Sequence, residues 1–166
     1  MDSVAKQSDS LQFIGFSLRQ QQYAIPIQKI QEIVIPQSIT RAPQVADYVE
    51  GLSNLRGAII PIISLRKLFA IEPKPIDIDS RIIVLNVGER VVGCLVDAVT
   101  QVLRISRAEI QPAPDLITDA NNSFIVGFMK LDERIVILLN VEELLDPSKI
   151  DEVSEAARRG DLPSTA

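Results

Sequence analysis

Two carboxylates two residues apart, Asp77 and Asp79, are the pair in this chain whose types and spacing suit acid–base or metal chemistry. Neighbouring carboxylates can divide the roles of acid and base, or share a hard cation. The stretch Ile76-Asp77-Ile78-Asp79 alternates, so on a strand both carboxylates would share one face. No other ligand-type residue flanks them, and charged side chains along a sheet edge also serve to block unwanted pairing, so a solvated strand edge is the preferred reading. Asp97 is a third candidate, and an enzyme using Asp77, Asp79 or Asp97 stays open on these residues. The chain has no histidine, which removes Ser-His-Asp and Cys-His triads, histidine bases and most zinc sites. Its single cysteine, Cys94, lies in an apolar run and reads as buried and inert; alone it forbids an internal disulfide and suits a reducing compartment.

A recognition site is offered by Gly51 to Gly57, where two glycines bracket Asn54 and Arg56. Glycine tolerates backbone angles closed to other residues, so the pair predicts a tight reversal with a close backbone approach. The apolar run Ala58 to Ile63 follows as a strand buried on both faces. Pro61 inside it cannot donate to a ladder, which predicts an edge strand or a bulge. Leu65 to Phe69 reads as one helical turn. A strand that needs burial thus begins at an exposed turn holding an arginine, the geometry of a binding rim.

The remaining elements must position these residues. At 166 residues and 46% hydrophobic, the chain is one domain, or two small ones sharing a core. The apolar content is chiefly Ile, Val and Leu with 4% aromatic, which favours sheet. A net charge of −5 argues against nucleic-acid and anionic-membrane partners, which reward clustered cations. No apolar run is long enough for a membrane span, and Met1 to Ser10 has no apolar segment of the kind a secretory signal needs. A cytoplasmic protein is expected.

Along the chain, Met1 to Ser10 reads as a flexible lead-in. Leu11 to Leu18 and Tyr23 to Ile27 read as strands, Ala46 to Glu50 as a brief helix, Glu72 to Pro75 as a stiff linker, and Arg81 to Val87 with Val91 to Val96 as a hairpin. Ile30, Ile33 and Val34 are spaced for a helical turn, yet their β-branched types fit a strand equally well. An internal echo runs through these segments. Tyr23 to Ile33 aligns with Val92 to Val102 at a constant shift of 69, and Gly51 to Leu68 more loosely with Gly127 to Leu144. A duplicated unit of this length predicts two similar small barrels that pack together.

These residues carry a family resemblance. Val49-Glu50-Gly51 with Asn54-Leu55-Arg56-Gly57, then Ile60-Pro61-Ile62-Ile63, Val92-Gly93-Cys94-Leu95-Val96-Asp97-Ala98-Val99 and Ile110 through Pro114 make the chain resemble the CheW family of bacterial chemotaxis coupling proteins, from about Leu11 to Leu145. The resemblance implies a mainly β fold of two five-stranded SH3-like barrels with short helices. It implies a single domain over residues 11–146, made of intertwined barrels at about 11–75 and 76–146; the residues themselves make 147–166 a polar tail in which Ile150, Val153 and Ala157 are spaced to line a weak helix. For function it implies a non-enzymatic adaptor without cofactor or metal, binding the regulatory domain of the histidine kinase CheA and the cytoplasmic tip of methyl-accepting chemoreceptors. Such a protein is cytoplasmic and recruited to receptor arrays. A coupling protein of a related pathway, controlling pili or biofilm, has the same barrel sequence.

Residue by residue, the resemblance assigns receptor contact to Ile30, Glu32, Ile33 and Arg56, with Val99 and Val102 on the opposite side of the groove. It assigns kinase contact to Arg56, Gly93, Gln111 and Leu116. Gln111 stands where the family often has arginine and Leu116 where it often has phenylalanine, so an apolar ring contact can survive there but a charged one cannot. Ser64 replaces a frequent aspartate. Independently of the family, burial statistics make Ile30, Ile33, Val99 and Val102 core, whereas their repeated position favours a cleft that takes an apolar helix face. Gly51, Gly57 and Gly93 read as backbone necessities.

Overall fold

Among the described residues, apolar β-branched runs separated by turn residues fold into ten strands. The computed structural model describes residues 10–112 and 124–146. In order these hold β1 (Ser10–Leu18), β2 (Gln21–Pro26), β3 (Ile30–Val34), β4 (Val49–Leu55), β5 (Ala58–Ser64), α1 (Leu65–Leu68), β6 (Arg81–Val87), β7 (Arg90–Val96), β8 (Ala98–Ser106), β9 (Ile125–Leu131), β10 (Arg134–Leu139) and α2 (Val141–Leu144), with 3-10 turns at Ile27–Lys29 and Arg107–Glu109. The expected lead-in, the tail over 147–166 and Leu116 lie outside the described residues.

The strands form two five-stranded sheets, ordered β8-β1-β2-β10-β9 and β3-β6-β7-β5-β4. Exchanging each strand for its repeat partner (β1 for β6, and so on to β5 for β10) turns one order into the other. The registers agree too. Ala24 pairs with Leu138 in the first sheet, and their repeat equivalents Gly93 and Ile62 pair in the second. The duplication read from the sequence is therefore a structural one.

The division near residue 75 needs correcting. The second barrel is the unbroken segment 30–96, and the first is assembled from residues 10–26 and 98–139. The cause lies in the two links after β2 and β7. Asp97 alone separates β7 from β8, fewer residues than a hairpin loop needs, so the chain continues into the other barrel instead of turning back. The Ile27–Lys29 turn does the same between β2 and β3. As a result the barrels are circular permutants of one another, joined by two crossings.

Strand alternation separates three cores. Phe13, Leu103, Met129, Val136 and Leu138 fill the first barrel, and Leu55, Ile60, Ile62, Ile82 and Val84 the second. The opposite faces of the same strands meet in a larger core between the barrels, through Phe16, Leu18, Ile25, Ile63, Ile83, Leu85, Cys94 and Leu139 among others. Four rings stack through it, Phe16 on Tyr23 (5.6 Å), Tyr23 on Phe69 (5.5 Å) and Phe69 on Phe124 (6.0 Å). Most of the few aromatic residues thus gather at the junction, where large rings bury the most area.

Three local expectations differ. No helix forms over 46–50; Val49 and Glu50 already belong to β4. β5 lies inside its sheet, not at an edge. Leu52, opposite Pro61, exchanges both its backbone bonds with Thr40 on the other side of β4 (2.7 and 2.8 Å). Leu52 and Pro61 are therefore a non-hydrogen-bonded pair, and the proline nitrogen points toward β7, where the parallel ladder begins only at Ile62. The bulge falls on β4, between Val49 and Gly51. Finally, residues 76–79 are not a strand. Asp77 closes a turn by accepting bonds from the amides of Asp79 (2.9 Å) and Ser80 (3.2 Å).

Candidate functional site

The edge strands β3 and β8, one in each sheet, are built by one device used twice. In β3 the register against β6 shifts between Ile30 and Glu32, and in β8 the register against β1 shifts at Thr100. Gln31 and Thr100 are the extra residues and are repeat equivalents. A bulge sends the next side chain to the face it would otherwise leave. Ile30 and Ile33 therefore sit opposite Leu85 and Ile83, both inter-barrel core residues, while Glu32 and Val34 sit opposite Val84 and Ile82 on the barrel's own side. Val99 and Val102 lie opposite Phe16 and Ile14 in the same way. This explains the helix-like spacing of Ile30 and Ile33 in a segment that is strand throughout. Ile30 and Val99 pack against the shared core, but Ile33 stays 37% exposed and Val102 52%. Each strand thus presents an apolar step from core to solvent.

Glu32 and Arg56 are brought together. The β4–β5 turn has positive φ at Arg56 (55°) and Gly57 (88°), the two central positions of a primed hairpin turn, and Asn54 Oδ1 accepts from the Gly57 amide at 2.9 Å. Gly57 makes the reversal, and the close approach expected of the glycine pair occurs at Gly51, where a Cβ would meet the Thr40 carbonyl. From this turn Arg56 Nη2 reaches Glu32 Oε1 at 3.0 Å, closing the gap between the hairpin tip and the sheet's other edge. The guanidinium is 82% exposed and the carboxylate 21%, so the cation remains available to a partner.

The kinase-side residues separate. Gln111 is exposed and its backbone exchanges bonds with Phe128 (2.8 Å each way), the repeat equivalent of the Thr40–Leu52 bridge. Gly93 is buried inside the second barrel, where a Cβ would stand 2.7 Å from Ile62 Cδ1 and 2.8 Å from Ile82 Cγ2. It makes room for packing and leaves the set of contact residues.

The enzyme-type candidates are occupied structurally. Asp97 lies in the crossing between β7 and β8, taking Arg66 Nε on Oδ1 (2.8 Å), Arg66 Nη2 on Oδ2 (2.7 Å) and the Arg19 amide on Oδ2 (2.7 Å). Burial alone would raise this carboxyl, but the Arg66 and Arg19 hydrogen bonds outweigh it and hold it below the usual range. Asp77, bonded by Lys74 at 2.7 Å and by turn amides, is brought down to about 2. Cys94 is fully buried, which pushes its thiol up to about 12. Among the described residues no group of three or more His, Cys, Asp or Glu could hold a metal ion, and no helix is long and apolar enough to cross a membrane.

Sequence reasoning missed the ion pairs at the two crossings, Arg66–Asp97 and Lys29–Glu142. The signal was in the repeat. Arg66 and Glu142 are equivalent positions carrying opposite charges.

The same architecture recurs in known proteins. A family model described as a CheW-like domain matches residues 12–149. A Helicobacter pylori chemotaxis protein CheW is 40% identical over 85% of this chain and 87% of its own length. One from Klebsiella aerogenes is 36% identical over 95% of each chain. The crystal structure of the scaffolding protein TtCheW from Thermoanaerobacter tengcongensis superposes with a TM-score of 0.74 at 34% identity, covering 82% of this chain and 92% of that one. The chain belongs to the CheW-like family, and it is a chemotaxis coupling adaptor.

Proposed function

We propose that the chain links the regulatory domain of the histidine kinase CheA to the cytoplasmic tip of chemoreceptors by docking both at once, without catalysis or cofactor. The receptor helix lays an apolar stripe on the faces formed by Ile30 and Ile33 of β3 and by Val99 and Val102 of β8, with Arg56 as its polar rim, held beside β3 by Glu32 from that strand's other face. The kinase barrel takes the hairpin carrying Arg56 and the exposed Gln111. The adaptor works in the cytoplasm and is recruited to receptor arrays, where multivalency raises the effect of modest single contacts. The observation that carries this reading is the repeated bulge, which turns four apolar side chains toward the junction and leaves Ile33 and Val102 in solvent.

Calorimetry with a CheA regulatory domain, and separately with a receptor-tip fragment, tests it. Wild type binds both, Ile33→Asp loses the receptor tip, and Arg56→Glu weakens at least one partner, with circular dichroism confirming the fold. A wild-type chain that binds neither would sink the reading.

A further inference from the structure

The strands assigned to the receptor groove both start where the chain crosses between barrels. β8 begins at Ala98, directly after Asp97, and β3 at Ile30, directly after Lys29. Each crossing is held by an ion pair to the helical turn that follows the fifth strand of a repeat. Asp97 is gripped by Arg66 of α1, and Lys29 Nζ lies 2.6 Å from Glu142 Oε1 of α2. The helical partners are repeat equivalents and the charges are inverted, so the same mechanical link recurs with different side chains. Other ties converge on Asp97, since Arg19 of the β1–β2 turn bonds its carboxylate and its own amide bonds the Ser17 carbonyl at 3.2 Å.

We propose that Arg66 and Asp97, with Lys29 and Glu142 as a second pair, are positioning residues of the groove: they fix the points from which β8 and β3 leave the inter-barrel crossings, and so the relation between the two apolar faces. The pairs are unequal. Arg66 and Asp97 are 14% and 13% exposed and share two parallel bonds, whereas Lys29 and Glu142 are each 41% exposed with one. A bidentate, shielded pair fixes geometry more tightly than a single solvated contact, so the β8 side is the rigid reference. This inference rests on the receptor reading of that face only for its consequence, not for its geometry.

The test separates the two. Cysteines replacing the exposed Gln31 and Gln101 carry spin labels on β3 and β8, and buried Cys94 stays unlabelled. In the otherwise wild-type chain the inter-label distance should be a single narrow distribution. Asp97→Asn and Arg66→Met should broaden or shift it while thermal unfolding stays cooperative, and should weaken receptor-tip binding about three- to thirtyfold, with CheA-domain affinity unchanged. The reversed pair, Arg66→Asp with Asp97→Arg, should restore much of the narrow distribution. If Asp97→Asn does not fold, Lys29→Met at the more exposed pair takes its place as the deciding variant. An unchanged distance in folded variants overturns the proposal. A changed distance in a protein whose wild type does not bind the receptor tip upholds the positioning role and overturns the receptor reading instead.

Discussion

The guanidinium of Arg56 lies 3.0 Å from the carboxylate of Glu32, tying the tip of the β4–β5 hairpin to β3 at the opposite edge of the same sheet. With Arg56 this exposed, solvent screens the pair, and such contacts contribute about 0–1 kcal/mol. Arg56→Ala should therefore change the urea midpoint little. Its effect on partner binding should be larger, since a well-placed arginine at an interface can contribute about 2 kcal/mol or more. Paired denaturation and calorimetry on one variant would show whether stability and binding separate in this way.

Asp97 makes a pH prediction whose sign follows from its neighbours. A carboxylate held below its unfolded value, about 4, stabilises the fold above that value, and the contribution is lost as pH falls through the folded value. The stability gap between wild type and Asp97→Asn, on the order of 2 kcal/mol for hydrogen bonds to a charged group weakened on one side, should be constant near neutrality. It should shrink progressively below about pH 4. Urea melts at several pH values measure it, and a gap that grows on acidification would contradict the assignment.

Glycine substitutions should rank by what a Cβ would meet. Gly51 has φ 148° with the Thr40 backbone behind it, so Gly51→Ala should cost about 2–4 kcal/mol. Gly57 has φ 88° and open space, so Gly57→Ala should cost only about 1–2 kcal/mol. Chemical denaturation of the two variants gives the order directly.

Cys94 should be silent in the native state. Its thiol is fully buried and raised to about 12, so a thiol reagent at neutral pH should react only as fast as the protein opens. Rapid native-state labelling would show the inter-barrel core to be looser than its packing implies.

Much was legible from the sequence because local chemistry carried it. The strand Arg81–Val87, the turn at Arg56-Gly57 and the helical turn after Ser64 follow from β-branched runs, glycine and a capping serine that accepts from the Lys67 amide. The duplication was visible because equivalent positions must fill equivalent places. The alternation at Ile76 to Asp79 misled, because Asp77 and Ser80 bond their own backbone more readily than a strand could pair there. Gly93 could not be placed from its motif alone, since only the neighbours Ile62 and Ile82 reveal that it is interior.

The sequence by itself determined that the chain is mainly strand, that the unit is doubled, and that histidine-dependent catalysis is excluded. Tertiary structure alone decided which strands share a barrel, because a one-residue link at Asp97 cannot reverse the chain and sends β8 into the other sheet. It also decided that Ile30 and Ile33 share a face, since a bulge exists only in the register between two strands and not in either strand alone.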